Sequence, residues 1–390
     1  MRSVGIFTYS CKPRGSVVHA ACLAEALKRR GVQVTLYALS KTGDEFFRPL
    51  SCELRLIPAG PAPSEVDALI RQRIAEFRAG IRTLAMKHDI CHAEDCLAAG
   101  ALLAAKADLR GAALVRTVHH VEHFESAYLM ECQARSVEFA DLVLSVSQST
   151  NRAVRGAFGR EAPVIWNGVD LKRFAVRSAA EERRLRSRLE LQSGELLILS
   201  VGGVEPRKNS IVALQAVARA FERHPRLRWI IAGGASIWEH TAYRNEFGRQ
   251  LAALSPELRA RITIVDTVPE NELTALYQLA DVLLCPSSQE GFGLCVLEAL
   301  AAKCAVIVSQ GAPFDEYLDD HCASFVDPGS MIQISDALQR LLGDPEERKR
   351  LVDNGCERVQ RYSWDVVAER HLGHYESLLR QVDSRQSPPL

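Results

Sequence analysis

Apolar and polar residues fall into alternating blocks along the chain. Short β-prone apolar runs end at turns and give way to longer stretches with helical spacing. The run at 3–9 predicts a strand. Residues 17–29 repeat apolar positions at three- and four-residue intervals and stop at Gly31, which predicts an amphipathic helix before a second strand at 32–39. Further strands are predicted at 54–58, 90–93, 113–118, 142–146 and 164–166, with a helix over 66–87 bridging two of them. Residues 175–194, rich in Arg, Glu and Ser, read as a solvated helix or linker.

The pattern then restarts with a strand at 196–201, a turn from Gly202 to Asn209 and a helix over 210–223. Strands follow at 227–232, 262–265, 282–285, 305–308 and 323–326, with helices near 239–254, 270–279, 294–302, 332–343 and 345–361. A last helix from 364 to about 379 precedes a polar tail expected to be disordered. Strands alternating with helices make parallel sheets covered by helices. The expected fold is α/β, two Rossmann-like domains facing each other across a cleft, with ligands beyond the carboxyl ends of the strands.

Composition narrows the class. The chain has 390 residues, 47% hydrophobic and 25% charged, and its 48 basic residues balance 48 acidic ones, which argues against a nucleic-acid partner. Residues 1–168 carry 21 Lys/Arg against 17 Asp/Glu, a weak positive bias mirrored by the remainder. Apolar runs such as 97–105 fall far short of a membrane span of about 20 residues. The opening residues run directly into a strand pattern, so no leader is expected. Eleven scattered cysteines, none spaced CxxC, suit a reducing cytoplasm. Cys91 and Cys96 flank His92, Glu94 and Asp95, which sets a metal site against buried thiols, and the single histidine favours thiols.

The sharpest chemical signal is residues 286–298, Pro-Ser-Ser-Gln-Glu-Gly-Phe-Gly-Leu-Cys-Val-Leu-Glu, running from a strand into a helix. Gly291 and Gly293 allow close backbone approach, and the helix start offers amides to phosphate. Glu290 on the loop and Glu298 one turn into the helix can accept bonds from sugar or ribose hydroxyls. A plain helix start with an acid near the positive dipole end is the competing reading. Arg207 and Lys208, after the strand at 196–201, can neutralise a diphosphate or simply form a solvated turn. The turn Pro13-Arg14-Gly15-Ser16-Val17 lacks GxGxxG spacing, and no P-loop occurs. His119, His120 and His123 end a strand of the first half, suited to a sugar hydroxyl, to zinc, or to a structural bond. Glu94 and Asp95 can meet the same ligand or cap the helix that follows. No Asp-x-Asp triplet occurs, so positive charge for a diphosphate is expected from side chains and helix ends.

Together these residues resemble the retaining glycosyltransferases of family 4, with the two-domain GT-B fold, over nearly the whole chain. The most specific matches are 288–294 with Glu298, 205–209, Asn167-Gly168-Val169-Asp170 with Phe174, and Tyr362-Ser363-Trp364-Asp365. The start, 13–19 with Phe46-Phe47-Arg48-Pro49, is similar to a bacterial subgroup of unassigned substrate. The resemblance implies domains 1–168 (acceptor side) and 169–363 (nucleotide-sugar donor), a helix 364–382 crossing back to the first, and a tail 383–390. It further implies that Glu290 bonds the donor sugar, Glu298 clamps the ribose, and Arg207 and Lys208 hold the diphosphate. His119 lies near the transferred sugar, and Gly15 and Ser16 match the first phosphate loop. Gly291, Phe292, Gly293 and Leu294 line the donor, and Val268 reads the base. Two departures stand out: Gly15-Ser16 replaces the usual Gly-Gly, and Gly202-Gly203 replaces Gly-Arg, which removes one cation.

The implied reaction is metal- and cofactor-independent transfer with retention from a nucleoside-diphosphate sugar to a small molecule, glycan or lipid. No covalent intermediate is expected, and the leaving diphosphate assists acceptor deprotonation. The alternatives are an inactive nucleotide-sugar-binding protein of the same fold, a nucleotide-sugar hydrolase or epimerase, and a phosphorylase, which needs a pyridoxal-phosphate lysine that nothing here suggests. Residues 66–87 carry Arg71, Arg73, Arg78, Arg82 and Lys87 beside apolar positions, which suits weak contact with anionic lipid or an apolar face on the core. The sequence carries no signal for oligomeric state.

Overall fold

The computed structural model describes residues 3–41, 43–84, 87–109, 111–233 and 240–386. Two compact units divide the chain: Met1–Gly168 together with Trp364–Leu390, and Val169–Ser363.

In chain order the first unit runs β1 (Ser3–Thr8), α1 (Gly15–Arg29), β2 (Gln33–Lys41), β3 (Glu53–Ala59), α2 (Val66–Thr83), β4 (Ile90–Ala93), α3 (Cys96–Ala104), β5 (Ala113–Val118), α4 (Ala127–Glu138), β6 (Leu142–Ser145) and α5 (Gln148–Phe158). The second runs α6 (Leu171–Ala175), α7 (Ala179–Arg188), β7 (Leu196–Val201), α8 (Ser210–Arg223), β8 (Leu227–Ala232), α9 (Thr241–Ala253), α10 (Pro256–Arg259), β9 (Ile262–Val265), α11 (Glu270–Leu279), β10 (Val282–Cys285), α12 (Leu294–Ala301), β11 (Ala305–Ser309), β12 (Ser324–Val326), α13 (Met331–Gly343) and α14 (Pro345–Val359). The last helix, α15 (Trp364–Gln386), belongs to the first unit.

Both sheets are parallel. Their strand orders are β3-β2-β1-β4-β5-β6 and β12-β11-β10-β7-β8-β9. Each order reverses direction once, between β1 and β4 and between β7 and β10, and those switch points are where α/β sheets open a crevice for ligands. Central strands are buried because helices cover both faces: Val282–Cys285 is an unbroken apolar run, and Ile90–Ala93 is buried throughout although it carries His92.

Three expected elements depart clearly from the sequence reading. Residues 164–166 form no strand, because Pro163 has no N–H to pair and only Val164 bridges Ser145. The helix expected at 66–87 stops at Thr83, and the last one continues to Gln386, through residues 383–386 that were expected to be disordered. Residues 387–390 of that tail, and Glu239 at the expected start of the helix over 239–254, lie outside the described residues. The run 97–105 belongs to α3, a helix with Cys96, Leu97, Ala98, Ala99, Ala101 and Leu102 all buried, so no polar stripe marks its period. Ile70, Phe77 and Ile81 of α2 are buried in the first unit, so its apolar face lies on the core. No described helix is long and apolar enough to cross a membrane.

Candidate functional site

In the second unit the candidate residues converge at the β7/β10 switch point. The chain leaves β7 through Gly202, whose φ is +123° and whose hypothetical Cβ would lie 2.9 Å from Lys208 Cε. A bare glycine therefore lets the Lys208 stem lie across the backbone. Pro206–Lys208 forms a short 3-10 turn closed by Asn209, whose Nδ2 donates to the carbonyls of Pro286 (3.2 Å) and Pro328 (2.6 Å). The Ser288 amide donates to the Arg207 carbonyl at 2.9 Å. The Asn209 bond to Pro286 and the Ser288 bond to Arg207 fix the β7 loop against the β10 loop, so the cations and Glu290 meet although they are more than eighty residues apart.

Lys208 Nζ lies 2.7 Å from one Glu290 oxygen, and an Arg207 guanidinium nitrogen lies 3.4 Å from the other. Arg207 also donates through Nε to Glu205 at 3.1 Å. Burial opposes the charge on Lys208, yet the Glu290 carboxylate, with the Cys295 and Cys285 thiols, holds its ammonium above the ordinary range. The side chains read as separate sugar and diphosphate ligands are thus ion-paired to each other.

Gly293 has φ +87°, and a Cβ there would meet Phe314 Cε1 at 2.6 Å. Phe292 is buried, its ring stacked on Tyr317 at 4.7 Å while its carbonyl accepts the Tyr317 hydroxyl at 2.8 Å. Its side chain anchors the loop by packing on Tyr317. Gly291 and Leu294 are half-buried on the same segment. Glu298, also half-buried, accepts the hydroxyl of buried Tyr277 at 2.7 Å, and burial raises its carboxyl above the usual range. Val268 sits in the turn between β9 and α11. A cavity of about 430 Å³ near Arg177, Asp281 and Arg348 holds none of the candidate residues.

In the first unit, β4 and β5 deliver Glu94 and His119 at their carboxyl ends, and the buried face of α1 supplies His19. Glu94 Oε2 lies 2.9 Å from His119 Nε2 and 3.0 Å from His19 Nδ1. His92 bonds Thr117 Oγ1 at 2.7 Å and the Tyr375 hydroxyl of α15 at 2.5 Å. Burial lowers His92 and His119 to about 4 and His371 well below its ordinary value. Glu94 is fully buried, which by itself would raise its carboxyl, but the surrounding imidazoles hold it well below the usual range. Asp95 takes the other role weighed for it, capping α3 through the Ala98 amide at 2.8 Å and accepting the Tyr9 amide at 2.9 Å.

Gly15 and Ser16 open α1, and a Cβ at Gly15 would meet nothing within 4 Å. Every cysteine is a free thiol, and burial pushes Cys91 and Cys96 up to about 12. Among the described residues, the group whose donor atoms gather within 4.8 Å is His19, Glu94 and His119. His19 was missed as a member of this cluster. Its signal was a histidine on the apolar stripe of α1, between Val18 and Ala20.

Comparison with known proteins agrees with this architecture. The family described as "Glycosyltransferase Family 4" matches residues 13–173, and "Glycosyl transferases group 1" matches residues 181–358. Fold and matches together define a glycosyltransferase with the GT-B fold. By these two matches it is family-4-like. It is similar to D-inositol 3-phosphate glycosyltransferase of Corynebacterium diphtheriae, with 28% identity over 91% of this chain and 88% of that protein. An uncharacterized glycosyltransferase of Methanocaldococcus jannaschii is 25% identical over 97% of this chain and 99% of its own. Among solved structures, Anabaena Alr3699/HepE in complex with UDP and glucose has a TM-score of 0.78 at 18% identity, covering 97% of this chain and 100% of that one. Sucrose-phosphate synthase of Thermosynechococcus elongatus has a TM-score of 0.79 at 22% identity, covering 98% and 100%.

Proposed function

We propose that this glycosyltransferase moves a sugar from a nucleoside-diphosphate donor to a hydroxyl acceptor, without a metal ion and with retention at the anomeric carbon. The observation that carries the reading is the Arg207–Lys208–Glu290 group at the β7/β10 switch point. Two cations held beside one carboxylate can change partners. An incoming diphosphate takes the cations, and the released Glu290 carboxylate is left to bond sugar hydroxyls. In this reading Glu298, one turn into α12 and tethered by Tyr277, takes the ribose, and Gly15 and Ser16 take a phosphate at the start of α1. Because Arg207 and Lys208 supply the positive charge that the leaving diphosphate needs, this reaction requires no divalent cation. The leaving diphosphate then takes the acceptor proton on the face it has vacated.

The first donors to test are UDP-sugars, because the Anabaena protein was solved with UDP and glucose. The first acceptor is an inositol phosphate, after the name of the corynebacterial relative. With UDP-glucose and such an acceptor, proton NMR of the product is expected to show the α-anomer. A β-anomer overturns retention. Consumption of donor with no glycoside formed favours the hydrolase reading.

A further inference from the structure

A carboxylate without solvent contact, ringed by imidazoles, is costly in a core, and such perturbed groups cluster at functional sites. Glu94 is such a group. It is 1% exposed, yet it sits at the carboxyl end of β4, beside the β1/β4 switch point. Its Oε2 faces His119 Nε2 at 2.9 Å and His19 Nδ1 at 3.0 Å, and its Oε1 is 3.9 Å from His92 Nε2. His92 is already satisfied by Thr117 and Tyr375. Of the four histidines in the cluster, His119 is the one with a solvent edge, its side chain 15% exposed.

A carboxylate only accepts hydrogen bonds, so His119 must carry its proton on Nε2 to bond Glu94. A neutral ring then has a bare Nδ1, and that nitrogen has no hydrogen-bond partner among the described residues. We propose that Glu94 is a positioning residue that locks His119 as the Nε2–H tautomer and so presents Nδ1 as a fixed acceptor for a substrate hydroxyl. This rests on the transfer reading for its substrate, but the tautomer belongs to the protein alone. A ring so held discriminates by sign: it accepts from O–H and repels the lone pairs of a phosphate or carboxylate. A carboxylate that orients an imidazole by taking its second N–H is the arrangement that fixes metal-bound and catalytic histidines elsewhere.

The test is long-range proton–nitrogen NMR of the full chain with 15N-labelled histidine, at neutral pH and without ligand, with His119→Gln used to assign the His119 signals. Wild type is expected to show His119 protonated at Nε2 and bare at Nδ1. Glu94→Gln, whose amide can offer N–H in place of a lone pair, is expected to admit the Nδ1–H tautomer. It is also expected to lower kcat about 10- to 100-fold, the usual cost of losing an orienting partner, with the donor KM within about twofold. A wild-type His119 protonated at Nδ1 overturns the proposal, as does an unchanged tautomer in Glu94→Gln, or a changed tautomer with unchanged kcat. If Glu94→Gln fails to fold, the wild-type spectrum decides. If wild type transfers no sugar, the transfer reading falls and the spectra still decide the positioning.

Discussion

Glu290 draws its behaviour from two cations that belong to a different loop. Lys208 and Arg207 lie within 2.7 and 3.4 Å of it, so a diphosphate must compete with Glu290 for the same positive charge. Calorimetry is therefore expected to find UDP bound as tightly or more tightly by Glu290→Gln than by wild type, while transfer falls at least about a hundredfold. Lys208→Met is expected to weaken UDP at least about tenfold, about 1.4 kcal/mol. Weaker UDP binding in Glu290→Gln would contradict the competition. Gly293 is set by space as well as by φ, since a methyl there would press on the Phe314 ring. Gly293→Ala is expected to cost roughly 2–3 kcal/mol in urea unfolding, and a loss below about 0.5 would show that the loop accommodates it. Each of these residues was legible in the sequence as a local motif. Their pairing was not, because Arg207 and Glu290 are 83 residues apart and only the sheet order joins them.

At the scale of elements, most strands and several helices were readable to within a residue or two, whereas the ends of α2 and α15 were not. Ile90–Ala93, Ala113–Val118 and Glu270–Leu279 coincide with their expected bounds. The illegible parts were α3, apolar on all sides, the helices α4 and α5, which the sequence reading left out, and the internal use of α15. His371 and Tyr375 of that helix are buried beside His19 and His92, four polar rings that no local spacing relates. Tyr375→Phe removes the hydroxyl on His92 and leaves a buried ring nitrogen without a partner. It is expected to lower stability by about 1–3 kcal/mol while leaving UDP affinity in the second unit unchanged. Equal loss of both would show that the two units do not unfold separately.

For the molecule as a whole, the imidazole cluster sets the acid limit. His92 and His119 are held near 4 against 6.5 for an ordinary histidine, so the unfolded chain binds those protons first as pH falls. Stability is therefore complete above about 6.5 and is lost between about 6.5 and 4, by up to about 3 kcal/mol for each ring. Burial raises Asp95 to about 6, which works the other way and offsets roughly one ring, whereas His371 adds to the loss. Glu94, held low, gives up its share only below the ordinary carboxylate range. Urea midpoints are expected to drop from pH 7 to 4.5, and a flat profile would contradict neutral buried histidines.

The second unit is expected to hold a nucleoside diphosphate through Arg207, Lys208 and Glu298. Thermal shifts of wild type, Lys208→Met and Glu298→Ala with UDP, GDP, ADP, dTDP and NAD, each against its own unliganded baseline, test it most directly. A nucleotide at 100 times its Kd adds about 2.7 kcal/mol, enough to raise Tm visibly. The expected result is a shift of wild type with one nucleoside diphosphate, reduced or lost in both variants. A response to NAD alone, or a nucleotide shift that both variants keep, would contradict it.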